Sequence, residues 1–166
     1  AIHYSRGEKL FDAGNFAASA EQFLKAGDYK DASSKEKIAT NAQNYADGEA
    51  EFEAGNYAEA VECFKNAGNY EDANARVIEA QYGIHYKNAE DAFACANFAV
   101  AVSEFEEART FKDAKERVLA STYALADENE KKEEYEKAIE GRYTDSEDYI
   151  DTIVSRIQEA RFVAGR

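Results

Sequence analysis

The sequence predicts an all-α fold, an α-solenoid of stacked helical hairpins. Its 166 residues include no Pro, the strongest helix breaker, and 45% of them are hydrophobic, which is enough to bury a core. Aromatic residues recur every 41 residues, and the apolar residues between them follow the spacing of one helix face. These observations predict a single domain over residues 1–166, with three full repeats, a shortened fourth repeat and a C-terminal capping helix.

The repeat accounts for most of the chain. Three full copies occupy approximately residues 3–43, 44–84 and 85–122, and a degenerate copy occupies 123–145. Five aromatic columns match across the full copies without a gap: Tyr4, Tyr45 and Tyr86; Phe11, Phe52 and Phe93; Phe16, Tyr57 and Phe98; Phe23, Phe64 and Phe105; Tyr29, Tyr70 and Phe111. Such agreement predicts one structural unit that is repeated, because each copy places the same side chains at the same points.

Each full repeat is predicted to contain two helices, of which the second has the clearer pattern. In the second repeat its apolar residues fall on one stripe: Tyr57, Ala60, Val61, Phe64 and Ala67. An Asn precedes this helix in every full copy, at Asn15, Asn56 and Asn97. We expect each Asn side chain to accept a hydrogen bond from a free N–H group of the first turn.

Glycine and aspartate mark the other helix ends. Gly14 and Gly55 are expected to close the first helix in the left-handed conformation, where the third repeat has Ala96 instead. Gly27 and Gly68 are expected to end the second helix. A turn with an aromatic residue two positions before an Asp then starts the following helix. The Asp of each turn is the predicted N-cap: Asp31, Asp72, Asp113 and Asp145.

The sequence constrains the structure less at the helices that join the repeats and at the end of the chain. Residues 72–95 contain no strong stop signal except Gly83, so one continuous helix and a kink at Gly83 or the matching Ala42 are both allowed. In the degenerate copy, Tyr135 and Tyr143 match the third and fifth aromatic columns. The predicted capping helix, 146–163, places four apolar residues on one face: Ile150, Ile153, Val154 and Ile157.

Charge narrows the classes of partner. The chain has 34 acidic and 20 basic residues, a net charge of −14 at pH 7. This acid excess disfavours direct binding to nucleic acid or to an anionic membrane and favours a basic partner. The sequence has no apolar run long enough to span a membrane and no secretory signal pattern. The compartment cannot be read from these residues, and the cytoplasm is only the default guess. Because the chain begins with Ala1 rather than Met, we expect a fragment of a longer chain or a processed product. If the chain is not such a fragment, we expect a monomer.

The inner part of each unit resembles the tetratricopeptide repeat. In the second repeat the resemblance rests on nine residues at that family's signature spacings: Tyr45, Gly48, Phe52, Gly55, Tyr57, Ala60, Val61, Phe64 and Ala67. Departures include the period of 41 rather than 34 residues, Ser19 in place of Ala60, and polar Asp47 before Gly48. The resemblance implies a superhelix whose concave surface, lined by the first helices, binds peptides and protein segments. The longer period implies that the first helices are lengthened. It leaves the pitch of the superhelix undetermined.

Three residues in each first helix are the candidate partner-binding positions. A Glu stands four residues after a Tyr and three before a Phe, which places all three close to one helix face. This Glu column, edged by aromatic rings, could receive Lys or Arg from a basic or polar partner segment. The aromatic residues could equally be core, and the Glu column a solvated face. The candidates are Tyr4, Glu8, Phe11, Tyr45, Glu49, Phe52, Tyr86, Glu90 and Phe93.

No motif in the sequence indicates catalysis, a metal site or a cofactor. His3 and His85 share one slot of the repeat, which indicates a structural role, and Cys63 and Cys95 are expected to be reduced, packed side chains. We therefore expect a non-enzymatic scaffold for protein–protein interaction, without metal or cofactor. The alternatives are an acidic mimic of nucleic acid that inhibits a basic nucleic-acid-binding protein, and a structural spacer within a larger repeat protein.

Overall fold

The described part of the chain is entirely helical. A computed structural model describes the backbone of residues 1–139 and the side chains of residues 1–136. Seven helices and no strand occur within these residues: α1 (Ile2–Asp12), α2 (Phe16–Ala26), α3 (Ala32–Glu53), α4 (Tyr57–Ala67), α5 (Ala73–Ala94), α6 (Phe98–Glu107) and α7 (Ala114–Ile139). The predicted all-α fold is confirmed. Tyr143, the Asp145 cap and the capping helix 146–163 lie outside the described residues.

Helices that are neighbours in sequence pack against each other, as in an α-solenoid. The chain divides into two compact units, Ala1–His85 and Tyr86–Arg166. In the first unit α1 packs on α2, α2 on α3 and α3 on α4; in the second, α6 packs on α7. The single-domain assignment and its repeat boundaries stay predictions.

The helices that lead from one repeat into the next are long and continuous. Helices α3 and α5 contain 22 residues each, whereas α4 contains 11. They run without interruption through Ala42 and Gly83, so each is one continuous helix. Gly83 has a packing role instead, because a Cβ atom there would lie 2.7 Å from the ring of Tyr57. The absent side chain lets that ring lie directly on the backbone of α5.

The core is made of equivalent residues from successive repeats. Every residue of the predicted stripe on α4 is buried. Phe23, Phe64 and Phe105, from one aromatic column, are the largest fully buried side chains of the described chain. Around Phe23 the core contains Tyr4, Ala32 and Ala39; around Phe64 it contains Ala60, Val61, Ala67, Ala73 and Ala80. Phe23 and Phe64 therefore occupy equivalent environments, as nested hairpins require.

The ends of the helices are where predicted, but their side-chain hydrogen bonds differ. Asn15, Asn56 and Asn97 are N-caps, yet none makes a side-chain capping bond. Their ψ angles of 63–70° lie outside the extended region in which a capping side chain reaches the first turn. The prediction of a side-chain hydrogen bond from each Asn to the first turn was wrong. Each Asn instead donates its backbone N–H to the carbonyl five residues earlier, at 2.8–2.9 Å, and so completes the C-terminal motif of the preceding helix.

The second residue after α5, Ala96, carries backbone strain that the first two repeats avoid with glycine at this position. Ala96 has a φ of +57°, whereas Gly14 and Gly55 occupy the same left-handed position in their repeats. A left-handed conformation costs a residue with a Cβ about 1–2 kcal/mol, a cost that glycine does not have. Glycine also makes the unfolded chain more flexible, and this entropy offsets part of the gain in stability. Ala96→Gly should therefore raise the free energy of unfolding by about 0.5–1 kcal/mol, measured by urea denaturation.

Gly14→Ala is the reciprocal control for this change. A Cβ atom at Gly14 would meet nothing within 4 Å, so the substitution tests the backbone conformation alone. It should lower the free energy of unfolding by a similar amount. Two changes of the same sign would contradict the conformational explanation.

A buried hydroxyl in α7 is a second local weakness. Ser121 is fully buried, and its Oγ has no hydrogen-bond partner, while the matching positions of the first two repeats are the buried Ala39 and Ala80. An unsatisfied buried polar group costs about 1–3 kcal/mol. Ser121→Ala should raise the free energy of unfolding by about 1 kcal/mol in urea denaturation.

The matched control for Ser121→Ala is Ser19→Ala. Ser19 is also fully buried, but its Oγ donates a 2.8 Å hydrogen bond to the carbonyl of Gly7. Its replacement should lower the free energy of unfolding by about 1 kcal/mol. Destabilisation by both substitutions would mean that the Ser121 hydroxyl is satisfied in solution.

Candidate functional site

The predicted partner-binding residues belong to an arrangement that occurs three times, which we call a clamp. Each clamp contains a Tyr, a Glu and a Phe from one first helix, a Phe from the second helix, and a cation from the following first helix. The first clamp is Tyr4, Glu8, Phe11, Phe23 and Lys35; the second is Tyr45, Glu49, Phe52, Phe64 and Arg76; the third is Tyr86, Glu90, Phe93, Phe105 and Arg117. All nine candidates lie in clamps.

The Glu column does receive cations, but in the described structure they belong to the chain itself. Each cation lies 27 residues after its Glu. Lys35 Nζ lies 2.6 Å from Glu8 Oε1. Arg76 binds both carboxylate oxygens of Glu49, at 2.5 and 2.9 Å, and also pairs with Glu79. Sequence reasoning missed these cations, although they recur with the same period of 41 residues as the aromatic columns.

The third clamp repeats the Arg-based arrangement of the second. Arg117 donates from Nε to Glu90 Oε1 at 2.8 Å, and its Nη2 lies 2.5 Å from the same oxygen. In both clamps the guanidinium also covers aromatic rings. The distances to the ring centres are 4.2 Å for Arg76 over Phe52, 5.4 Å for Arg76 over Phe64, 4.7 Å for Arg117 over Phe93 and 5.2 Å for Arg117 over Phe105.

The first clamp differs because its cation is Lys35. The Lys35 ammonium lies 5.0 Å from the ring centre of Tyr4 and 5.8 Å from that of Phe23. Within the described residues no cation lies over Phe11, the equivalent of Phe52 and Phe93. The Phe11 ring therefore lacks the cation that covers its equivalents in the other two clamps.

The clamp tyrosines tie each first helix to the turn before the next first helix. Tyr4 donates its hydroxyl to Asp31, and Tyr45 and Tyr86 donate theirs to Asp72 and Asp113 at 2.5 Å. These aspartates were predicted to cap their own helices with their side chains. Asp31 is an N-cap by position but makes no side-chain capping bond, which corrects that expectation for this residue. Its carboxylate is oriented toward Tyr4 instead.

These hydrogen bonds, together with burial, raise the pKa of the clamp tyrosines. The bond to Asp72, followed by burial, raises the pKa of Tyr45 to about 12. Burial, followed by the bond to Asp113, raises the pKa of Tyr86 to about 12. The bond from Tyr86 in turn lowers the pKa of Asp113. Neutral tyrosine and ionised aspartate are therefore the forms that the fold stabilises.

Alkaline pH should weaken the fold through these two tyrosines. Because their folded-state pKa of about 12 exceeds the unfolded value of about 10, their contribution to stability is complete below pH 10. It is lost as the pH rises through 12. Tyr45→Phe should remove one late-ionising phenol from a titration followed by tyrosinate absorbance, and should flatten the loss of stability across this pH window. Tyr135→Phe, in an exposed residue outside the clamps, is the control for the loss of one phenol and should leave the loss of stability as steep as in the unmodified chain.

The aromatic rings of the clamps are packed rather than freely displayed. Tyr4 is buried, and Phe11, Tyr45 and Phe52 are half-buried against the core. Edge-on ring contacts recur with nearly constant spacing: Tyr4–Phe23 and Tyr45–Phe64 at 5.6 Å, Tyr86–Phe105 at 5.5 Å, Phe11–Phe16 at 5.1 Å, and Phe52–Tyr57 and Phe93–Phe98 at 5.3 Å. These contacts give the rings a core role. A role in partner binding stays a prediction.

A cleft of about 490 Å³ opens at the first clamp, between α1 and α3. Its lining residues are Ser5, Glu8, Lys9, Phe11, Asp12, Phe23, Lys35 and Ile38. Phe23 is nearly inaccessible and forms the apolar floor, whereas the Ile38 side chain is half exposed. The lining charges alternate in sign, with two carboxylates and two ammonium groups. The cleft brings the predicted residues Glu8 and Phe11 together with two residues that the sequence did not single out, Lys35 and Ile38.

The remaining polar candidates form no comparable site. His3 Nδ1 lies 2.9 Å from Gln22 Oε1, an ordinary surface hydrogen bond. Both cysteines are free; Cys63 is half-buried, and burial raises the pKa of its thiol, whereas Cys95 is exposed, so the expectation that Cys95 is packed was wrong. Within residues 1–136, no three His, Cys, Asp or Glu side chains converge as metal ligands. None of the described helices is long and apolar enough to cross a membrane.

The described fold and its clamps are those of a helical repeat protein. The repeat is visible both in the aromatic columns and in the contacts that the columns make. Comparison of the chain with protein-family models, with curated proteins and with solved structures finds no match.

Proposed function

We propose that this chain is a non-enzymatic scaffold, similar to tetratricopeptide-repeat proteins, that binds a basic segment of another protein. The observation that carries the proposal is the cleft between α1 and α3. It lies on first helices, the elements that the resemblance assigns to ligand binding, and it is lined by the predicted residues Glu8 and Phe11.

The composition of the cleft suits a side chain of a partner protein. An apolar floor with a few converging polar groups, in a volume of several hundred cubic ångströms, is characteristic of ligand sites. The net charge of −14 favours approach by a basic segment. A half-exposed Ile38 beside Phe11 adds apolar surface that a bound segment would cover.

A structural spacer is the second candidate, and the other two clamps favour it. Arg76 and Arg117 fill the second and third clamps from within the chain, so Glu49 and Glu90 already serve to hold adjacent helices together. A spacer would need no ligand at the first clamp either. The scaffold therefore requires a bound segment in the cleft, whereas the spacer does not.

Site-specific photo-cross-linking separates these candidates. A photo-reactive amino acid at Ile38 should cross-link the full chain to a basic segment of another protein in lysate. Leu24, an apolar residue of α2 that is 71% exposed, is the matched control position and should give no such product. Sequencing of the cross-linked segment identifies the partner chemistry. Equal products at both positions, or none at Ile38, would reject the proposal and leave the spacer; a segment from a nucleic-acid channel would support the acidic mimic.

A further inference from the structure

The three clamps share a plan but differ in how fully the chain fills them. In the second clamp the Arg76 guanidinium binds both oxygens of Glu49 and lies 4.2 Å from the ring centre of Phe52. Arg117 in the third clamp lies 4.7 Å from the ring centre of Phe93. In both cases a planar cation occupies the space between the carboxylate and the ring.

The first clamp lacks that planar cation. Lys35 contacts Glu8 through Oε1 alone and lies over Tyr4 and Phe23, not over Phe11. The cleft is lined by Glu8 and Phe11, which occupy the repeat positions of the Glu and Phe that contact the guanidinium in the other two clamps. The first repeat thus combines Lys in place of Arg with a cleft lined by the clamp residues Glu8 and Phe11.

We propose that the cleft between α1 and α3 receives the guanidinium of an arginine from the partner segment, at the place that Arg76 and Arg117 fill in their own clamps. This inference rests on the proposed function and names the chemistry that the cleft recognises. The guanidinium would stack on Phe11 and donate to the Glu8 carboxylate, with Asp12 as a second acidic residue of the lining. Ile38 would cover the methylene chain.

An arginine fits these groups better than a lysine does. A guanidinium is flat, stacks on an aromatic face and donates in parallel to both oxygens of a carboxylate. A lysine ammonium is a compact point charge, and the first clamp already contains one at Glu8. A lysine from a partner would compete with Lys35 for the same oxygen without covering Phe11.

Selection of a random-peptide library on the full chain tests the inference. Enriched peptides should carry an arginine at one fixed position, and an Arg→Lys change in the peptide should weaken binding about tenfold, equivalent to about 1.4 kcal/mol. Lys35→Arg should weaken binding by tenfold or more, because the new guanidinium fills the cleft from within. Lys37→Arg, the same change at an exposed residue of α3 outside the cleft lining, should leave binding unchanged.

The outcomes distinguish this inference from the proposed function. Peptides that lack a fixed arginine but lose binding on Ile38→Asp would overturn the arginine site and keep the scaffold. Arginine peptides whose binding survives Lys35→Arg, in a variant shown to be folded by circular dichroism, would place their site elsewhere and also overturn the inference. No enriched peptide at all would count against both.

Discussion

Phe64→Ala should lower the free energy of unfolding by about 3–5 kcal/mol, the usual cost of truncating a fully buried phenylalanine. Phe64 is completely inaccessible and lies at the centre of the core around α4. A Cβ atom at Gly48 would lie 2.7 Å from its ring, so α3 packs directly on the ring face. The backbone of α3 already lies against this side of the ring. The cavity that the substitution creates can therefore shrink only by movement of the residues on its other sides. Urea denaturation followed by circular dichroism measures the loss.

The same substitution should also weaken the second clamp. The Phe64 ring packs edge-on against Tyr45 at 5.6 Å, and Arg76 lies 5.4 Å from its centre. Leu24→Ala, in a large apolar residue of α2 that is 71% exposed, is the control and should change the free energy of unfolding by less than about 0.5 kcal/mol. A loss below about 1 kcal/mol for Phe64→Ala would show that this core is far more plastic than nested hairpins allow.

Features that depend on residues close in sequence were predictable. The stripe on α4 was identified from helical spacing alone, and all five of its residues are buried. Gly14, Gly27, Gly55 and Gly68 have positive φ, as their places at helix ends predicted. Local backbone preference and periodicity decide these features, and both can be read from a short window of sequence.

Features that depend on side-chain direction or on distant pairing were not predictable. The N-cap positions of the asparagines followed from sequence, but their ψ angles, and hence the missing side-chain bonds, are set by the helix end before them. The partner of Glu49 lies 27 residues away on α5. That pairing depends on how α3 and α5 are aligned, which periodicity alone does not give.

At the candidate site, too, local features were predictable and distant pairings were not. Sequence placed Glu8 and Phe11 on one helix face and identified cations as their natural partners, but it offered no means to know which cations the chain supplies itself. The contrast between Lys35 and Arg76 is visible in the sequence, where one repeat has Lys and the next has Arg. Only the packed structure shows the cleft beside Lys35 in one clamp and the guanidinium of Arg76 over the Phe52 ring in the next.

Arg76→Met should lower the free energy of unfolding by about 2–3 kcal/mol, the second large effect that we expect. Arg76 is 16% exposed and Glu49 is 35% exposed, so the pair is partly shielded from solvent. Its removal deletes charge-assisted hydrogen bonds worth about 1.5–3 kcal/mol and a cation–π contact worth about 0.5–1 kcal/mol. Glu49 is then left without its cation. Urea denaturation of the full chain gives the value.

Two further variants show whether this loss comes from the clamp. Glu49→Gln in the Arg76→Met background should recover part of the stability, because it removes the carboxylate left without a cation. Lys35→Met in the first clamp should cost less than about 1 kcal/mol, since its single contact with Glu8 is more exposed. Equal losses for Arg76→Met and Lys35→Met would mean that the guanidinium adds nothing beyond its charge. The clamp would then be a set of surface ion pairs, and the difference between its filled and open forms would lose its energetic basis.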